Sequence, residues 1–414
     1  MSKGEWMKRS KSFVFLSLLL VLSLVAAACG GDDDDGGAAG GDGDAPADCE
    51  WVIGAMGAYS GAAAALGQRI VEGTEKAVME ANEAGDTPCT LSVQKEDSQG
   101  DPNQAPALAD KLIENENLVF CACPYFSGET LATGAKFSQA GIAISGTGTN
   151  ETIDEQGFET WFRAVAPDNI QGEVAADYLV NVVGAQSLVV VHDNQDYSKG
   201  IAEVVIENAG DVLASDKAFV IEPVAEGTGD YSAVVNQIAA ANPDAIFYGG
   251  YYEEAGRLRK QLVENGVDAT FMSDDGALDP GYVEAAGDDA AQGTIWSCPC
   301  ADPTKIETAQ TWVDEMKAEF GAKAPGTFAG DVYDVTKIAI QALSELNGDE
   351  DVEEVRAHIV EFMQNAEGIE GVVKSYSWDD TGEFEGGPED IWIYENKGGE
   401  IKSVGPAQEL IDAA

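Results

Sequence analysis

The sequence predicts an α/β protein built as two doubly wound parallel-sheet lobes, joined by a multi-crossover hinge, with a cleft between them. Three observations lead there. Behind an N-terminal leader about 365 residues remain, too many for one hydrophobic core and about right for two. From Glu50 onward, short apolar runs alternate with longer amphipathic stretches in two successive series. Strand-like segments are then left over near the C-terminus, so the chain has to return to a lobe that it has already left.

The leader comes first. Lys3, Lys8, Arg9 and Lys11 precede a weakly polar to apolar run over 13–28. At about 1.5 Å per residue this run spans about 24 Å, short of the roughly 30 Å hydrocarbon core of a bilayer. Residues 1–28 therefore read as an export signal rather than a membrane-spanning helix. Ala26-Ala27-Ala28-Cys29 resembles a bacterial lipobox, after which Cys29 would be lipidated. Each buried CH₂ contributes about 0.8 kcal/mol, so two acyl chains would hold the protein to the membrane. The alternative is an ordinary Ala-x-Ala cleavage site with Cys29 incidental. The expected location is extracytoplasmic in either case, and with Cys29 lipidated it is that of a lipoprotein on the outer face of the plasma membrane or in the periplasm. Residues 29–48 are Gly, Ala and Asp with almost nothing to bury, an acidic tether reaching about 25 Å as a coil.

The first βα series follows. Strands are expected over 51–56, 91–95, 118–123 and 142–145, with helices over 67–82, 101–115 and 128–139. Asp101-Pro102 is the start signal of the second helix. The second series begins after Phe162-Arg163-Ala164-Val165-Ala166-Pro167 with a helix over 168–183. Strands over 187–191, 218–221, 245–248, 269–272 and 294–296 alternate with helices. Long helices are expected over 305–320, 328–346 and 352–363. Strands over 375–378 and 391–394 flank the turn Asp379-Asp380-Thr381-Gly382. This order assigns 49–164 with 301–374 to one lobe, and 165–300 with 375–414 to the other.

Composition excludes several functions. With 74 acidic against 23 basic residues the formal net charge is −51, which argues against nucleic acid or anionic membrane surfaces as partners. The acids lie in surface-like stretches such as 349–354 and read as a solvated, self-repelling surface. Six cysteines remain once Cys29 is set aside: Cys49, Cys89, Cys121, Cys123, Cys298 and Cys300. Cys49 and Cys89 each precede a strand and suit a bridge between the two strand starts. The two C-x-C pairs suit disulfides or a metal. Only His192 and His358 are available as imidazole ligands and export is expected, which favours disulfides. Which sulfur meets which is not written in the spacing. There is no Gly-x-Ser-x-Gly elbow and no His-Glu-x-x-His helix. His192 follows a strand but lacks a nucleophile partner, and Gly146-Thr147-Gly148 runs on to Glu151 where a dinucleotide fingerprint needs glycine. Neither an enzyme nor a cofactor or metal is expected.

In doubly wound sheets ligands sit at the carboxyl ends of the strands. In the first lobe these ends carry Gly57-Ala58-Tyr59-Ser60-Gly61, then Pro124-Tyr125-Phe126-Ser127-Gly128 and Gly146-Thr147-Gly148-Thr149-Asn150. Ser127 stands where a helix N-cap is wanted, beside free amides that favour anions. The second lobe offers His192-Asp193-Asn194-Gln195-Asp196-Tyr197, Gly249-Gly250-Tyr251-Tyr252 and Ser273-Asp274-Asp275-Gly276. Hydroxyls and helix amides thus face aromatics and carboxylates. That polarity suits a zwitterion, with its carboxylate on Ser127 and Thr149 and its ammonium on Asp275. The plainer alternative makes Ser127 only a cap and Asp274-Asp275 only a turn.

From Glu50 to about Gly405 the chain resembles the leucine/isoleucine/valine-binding proteins, amino-acid receptors of ABC importers with the type I periplasmic-binding-protein fold. The carriers are Gly57 to Gly61, Val190-Val191-His192-Asp193 with Tyr197, Phe247-Tyr248-Gly249-Gly250-Tyr251 with Glu254-Ala255-Gly256, and the strand-turn at 375–382. The resemblance implies that Ser127 and Thr149, with Thr147 close by, hold a ligand carboxylate, and that Asp275 holds its ammonium. It implies aromatic walls at Tyr197, Tyr251 and Phe328. Leu66 and Phe126 fall at the side-chain pocket, where the family often has tyrosine and a smaller residue. Asp275 is one methylene shorter than the glutamate common in branched-chain binders. The implied function is an extracytoplasmic, monomeric substrate-binding lipoprotein that delivers a branched-chain or other aliphatic amino acid to an ABC permease. A receptor for short amides or urea, and a ligand sensor for a membrane signalling protein, are the alternatives.

Overall fold

The computed structural model describes residues 49–215, 217–221 and 229–414. The signal, Cys29 and the tether lie outside the described residues. Among those described, no helix is long and apolar enough to cross a membrane.

The first βα series forms a four-stranded parallel sheet from β1 (Glu50–Gly57), β2 (Thr90–Asp97), β3 (Leu118–Cys121) and β4 (Ala143–Ile144). Its strand order is β2-β1-β3-β4. The second gives β5 (Leu188–His192), β6 (Phe219–Val220), β7 (Ala245–Gly249), β8 (Thr270–Ser273) and β9 (Ile295–Cys298). These pair in the parallel order β6-β5-β7-β8-β9. Each sheet therefore starts in the middle, grows one way and then reverses. That reversal opens a crevice between β1 and β3 in one sheet and between β5 and β7 in the other. A short antiparallel pair, β10 (Ile369–Glu370) with β11 (Ser375–Tyr376), follows. The tail then adds β12 (Trp392–Lys397) antiparallel to β9, and β13 (Glu400–Pro406) antiparallel to β12.

Burial explains why the strands read so clearly. Every residue of β5 and β7 is buried, as is every residue of β1 after Glu50, which is what two helical layers over a parallel sheet require. The helix Ala64–Ala84 buries Leu66, Ile70, Val71, Ala77, Val78 and Ala81 along one stripe and ends on Gly85 at φ 69°. It packs on the helix Ala329–Leu343, and the approach is so close at Gly73 that a Cβ there would lie 2.1 Å from the Ala329 carbonyl oxygen. The helix Val352–Gln364 covers β3, with Arg356 donating to the Leu118 carbonyl at 2.8 Å. The three disulfides are Cys49–Cys89, which joins the starts of β1 and β2, Cys121–Cys123 and Cys298–Cys300. The C-x-C pairs are thus oxidised staples at the carboxyl ends of β3 and β9, and their sulfurs are not free to ligate metal.

Three expected helices shift, and two elements appear unforeseen. The helix expected over 101–115 is Ala105–Ile113, because Asp101 accepts the Asn103 N–H at 2.9 Å and holds a turn instead. The helix expected over 168–183 is α-helical over Asp168–Asp177 and continues as a π turn over Tyr178–Val182. That over 305–320 opens as two 3₁₀ turns and becomes α only over Gln310–Phe320. β13 and the helix Ala407–Asp412 were not expected. The segment between the two series runs beside the late strand-turn. Arg163, fully buried, donates from Nε to both Glu383 oxygens at 2.7 and 2.9 Å, and the Trp378 indole donates to the Arg163 carbonyl at 2.7 Å.

Candidate functional site

The carboxyl ends of the two sheets converge on one cavity. Its walls are Leu66, Ile70, Tyr125, Phe126, Ser127, Thr147, Thr149, Tyr197, Tyr251, Asp275, Gly276 and Phe328. All nine residues expected at the site are there, from segments spread over more than half of the chain. Ile70, Tyr125 and Gly276 complete the wall and were not foreseen; each is a direct neighbour, or one helical turn away, of a residue that was. The cavity volume open to a water-sized sphere is about 10 Å³, room for about one water, so the walls nearly meet in this conformation. Wider grooves exist, including one that shares Phe328 and is lined by Arg69 and Lys323, but they do not join the strand ends that carry Ser127, Thr149 and Asp275.

One end of the cavity is built to receive negative charge. Ser127 is the first residue of the 13-residue helix Ser127–Gln139, whose positive end points at the site. It is not the cap that the sequence suggested: Phe126 holds that position, and the Ser127 hydroxyl accepts the Asn150 N–H at 3.1 Å. This bond ties the loop after β3 to the loop after β4. The Thr147 hydroxyl donates to the Tyr125 carbonyl at 2.8 Å and makes a second tie. Behind Ser127, burial pushes the Glu129 carboxyl up to about 8, against hydrogen bonds from Ser98 and from the Phe126 amide that pull it down.

The opposite end is acidic. The Tyr197 hydroxyl donates to Asp275 Oδ1 at 2.8 Å and accepts the Gly276 N–H at 3.3 Å. Burial pushes the Asp275 carboxyl up to about 6, although hydrogen bonds from Gln171 and Tyr197 favour its anion. Asp274, fully buried, takes the Gly250 N–H at 3.0 Å on Oδ2 and leaves Oδ1 without a partner. Asp168, also fully buried, has no well-formed hydrogen bond on either oxygen. Burial first, then the neighbouring Asp275, pushes both of these carboxyls well above the usual range. The Asp274-Asp275 pair is thus no mere surface turn.

Aromatic rings close the remaining sides. Phe126 meets Tyr251 edge-on at 5.4 Å, and Tyr251 leans on Tyr197 at 5.5 Å. The floor at Gly276 admits only glycine, since a Cβ would come within 2.8 Å of the Gly250 carbonyl oxygen and of the Tyr197 ring. Phe328 holds φ 62°, a left-handed conformation unusual for an aromatic residue, at the start of the helix Ala329–Leu343. Such strain concentrates at functional sites. Loops of the two sheets also touch around the cavity: Asn150 Nδ2 donates to the Asp196 carbonyl at 2.8 Å, and Arg69 pairs with Asp279 at 3.1 Å. Ser127, Thr147, Thr149, Tyr197 and Asp275 are all buried.

Two doubly wound sheets whose strand ends shut on one polar cavity define a two-lobed solute-binding protein. The periplasmic binding protein family matches residues 50–400, and the chain belongs to that family. It is a binding protein and not an enzyme. An amino acid binding protein of Pseudomonas aeruginosa is 29% identical over 352 residues, 84% of this chain and 91% of that protein. The Leu/Ile/Val-binding protein of Escherichia coli (strain K12) is 27% identical over 339 residues, 81% of this chain and 88% of that one. Among solved structures, a leucine binding protein from Thermotoga maritima has a TM-score of 0.76 at 21% identity, covering 86% of this chain and 99% of that one. That last likeness is one of fold.

Proposed function

We propose that this protein is the extracytoplasmic receptor of an ABC importer, taking one amino acid with an aliphatic side chain and handing it to a membrane permease. The observation that carries the reading is the polarity of the cavity. A helix N-terminus with Ser127, Thr147 and Thr149 faces Asp275 and Tyr197, and the wall between them is Leu66, Ile70, Phe126 and Phe328. A zwitterion with an apolar side chain satisfies all three surfaces at once. The relatives named for amino acids, and for leucine, isoleucine and valine, support the same reading. Lobe one would comprise 49–164 with 301–374 and lobe two 165–300 with 375–414. The ligand shifts the balance toward the closed form because only that form offers both charged ends together. The receptor is proposed to act as a monomer.

In a thermal-shift panel, leucine, isoleucine or valine is expected to raise the melting temperature, and at 100 times Kd the gain corresponds to about 2.7 kcal/mol. Stabilisation by short amides or urea, with no amino acid active, would overturn the zwitterion reading of Ser127, Thr149 and Asp275. We also propose lipidation at Cys29, with residues 29–48 as the tether. Mass spectrometry of the mature N-terminus is expected to find a diacylated Cys29. An unmodified N-terminus at that position would exclude the anchor and leave the receptor function standing.

A further inference from the structure

Asp275 lines the cavity's acidic end, and two further carboxyls lie beside it, Asp274 from the same loop after β8 and Asp168 from the start of the helix Asp168–Asp177. All three are buried, and three of their oxygens, both of Asp168 and Oδ1 of Asp274, make no well-formed hydrogen bond, although the Thr149 hydroxyl lies close enough to Asp168 to favour its anion. Among the described residues no lysine, arginine or histidine lines the cavity. Three adjacent buried carboxylates whose nearest cation, Arg163, is paired with Glu383 cannot all remain ionised. Resting on the amino-acid reading above, we propose that ligand binding is coupled to proton release: the ligand's ammonium replaces a proton that this carboxylate cluster holds in the unliganded receptor.

The groups that face the cluster support that direction. The loop after β8 contributes only Asp274, Asp275 and the Gly276 amide, and the helix Asp168–Asp177 contributes Asp168 and Gln171. The helix Asp196–Ala209 brings the Tyr197 hydroxyl, and the loop after β7 brings the Gly250 amide and Tyr251. The loop after β4 adds the Thr149 hydroxyl to Asp168, and Glu151 adds further negative charge. Among the described residues the cation acting on the cluster is Arg163, which favours the Asp168 anion; its Nε is taken by Glu383 and its Nη1 by the Gly148 carbonyl, while Nη2 has no hydrogen-bond partner. Every carboxyl of the cluster is accordingly held above its ordinary value, Asp275 at about 6. The step is a simple exchange. A carboxylic acid and an alkylammonium become a carboxylate–ammonium pair, the ligand keeps all three of its protons, and the acid's proton passes to solvent. An uncharged amide in the same place would leave that proton where it is.

The sign follows from the shifts. A carboxyl with a raised pKa in the free receptor and a lowered one in the complex releases its proton on binding, so affinity falls as pH falls through the free-state value. Isothermal calorimetry with leucine, isoleucine and valine, in two buffers of unlike ionisation enthalpy, reads this directly. At pH 6 the expected result is net release of protons on binding, a measurable fraction of one per ligand, since the cluster carboxyls are held above their ordinary values. Kd is expected to rise about tenfold from pH 7 to pH 5, where a carboxyl of ordinary pKa would leave it nearly flat. An amino acid that binds with no buffer-dependent heat and equal Kd at both pH values overturns the proposal and leaves the receptor reading intact. Proton uptake also overturns it, because that is the response expected if the ligand carboxylate raised Glu129 instead. Failure of every amino acid to bind overturns both.

Discussion

Asp275→Asn is expected to weaken leucine binding by about 1.5–3 kcal/mol, roughly 10- to 150-fold in Kd, the worth of a hydrogen bond to a charged group. The substitution keeps the size of the side chain and leaves an amide oxygen to accept from the Tyr197 hydroxyl, so no cavity opens. What it removes is the charge that faces the proposed ammonium. The unliganded protein is expected to melt at the same temperature or higher, because burial already disfavours the Asp275 anion. Affinity and stability moving in opposite directions mark a residue kept for binding rather than for the fold. Calorimetry at pH 7.5 and thermal melting of the free variant check the two halves. Wild-type affinity in a folded variant would remove Asp275 from the site.

That residue was legible in the sequence, and the reason separates what could be read from what could not. Parallel strands buried on both faces are continuous apolar runs, so β1, β5 and β7 announce themselves, and the residues just after them are named by the rule that ligands meet strand ends. Ser127, Thr149, Tyr197 and Asp275 all fall under that rule. Asp168 does not, since it starts a helix after Pro167 and shows its meaning only once that helix brings it beside Asp275. Asp274 reads as half of a turn until its burial is known. Local chemistry was also misjudged where a short-range bond competes with a longer-range pattern. Asp101 spends its carboxylate on a turn and delays the helix to Ala105, and Ser127 turns its hydroxyl toward Asn150 rather than capping. β13 alternates as a strand should, but Gly405-Pro406 looks like its breaker rather than its end.

Gly146→Ala is expected to cost about 1–3 kcal/mol of stability and to weaken leucine binding by roughly 100-fold. Gly146 stands between β4 and Thr147, and a Cβ there would lie 1.9 Å from the Pro124 carbonyl oxygen and 2.9 Å from its carbonyl carbon. Those are backbone atoms with no rotamer to yield, so one of the two loops has to move. The loops are the ones that carry Ser127 on one side and Thr147 with Thr149 on the other. Two hydrogen bonds fix their spacing, from the Asn150 N–H to the Ser127 hydroxyl at 3.1 Å and from the Thr147 hydroxyl to the Tyr125 carbonyl at 2.8 Å. Separating them by even about 1 Å misplaces both hydroxyls relative to a single carboxylate, a displacement of the size that costs about 100-fold in aligned sites. The melting temperature should fall by a few degrees, whereas the loss of affinity should be far larger than that modest destabilisation explains. A folded Gly146→Ala protein that binds leucine as the wild type does would show that the spacing of these loops does not set the site. The opposite result would make the absence of one methyl group, rather than any hydroxyl, the condition that lets the two loops share a ligand.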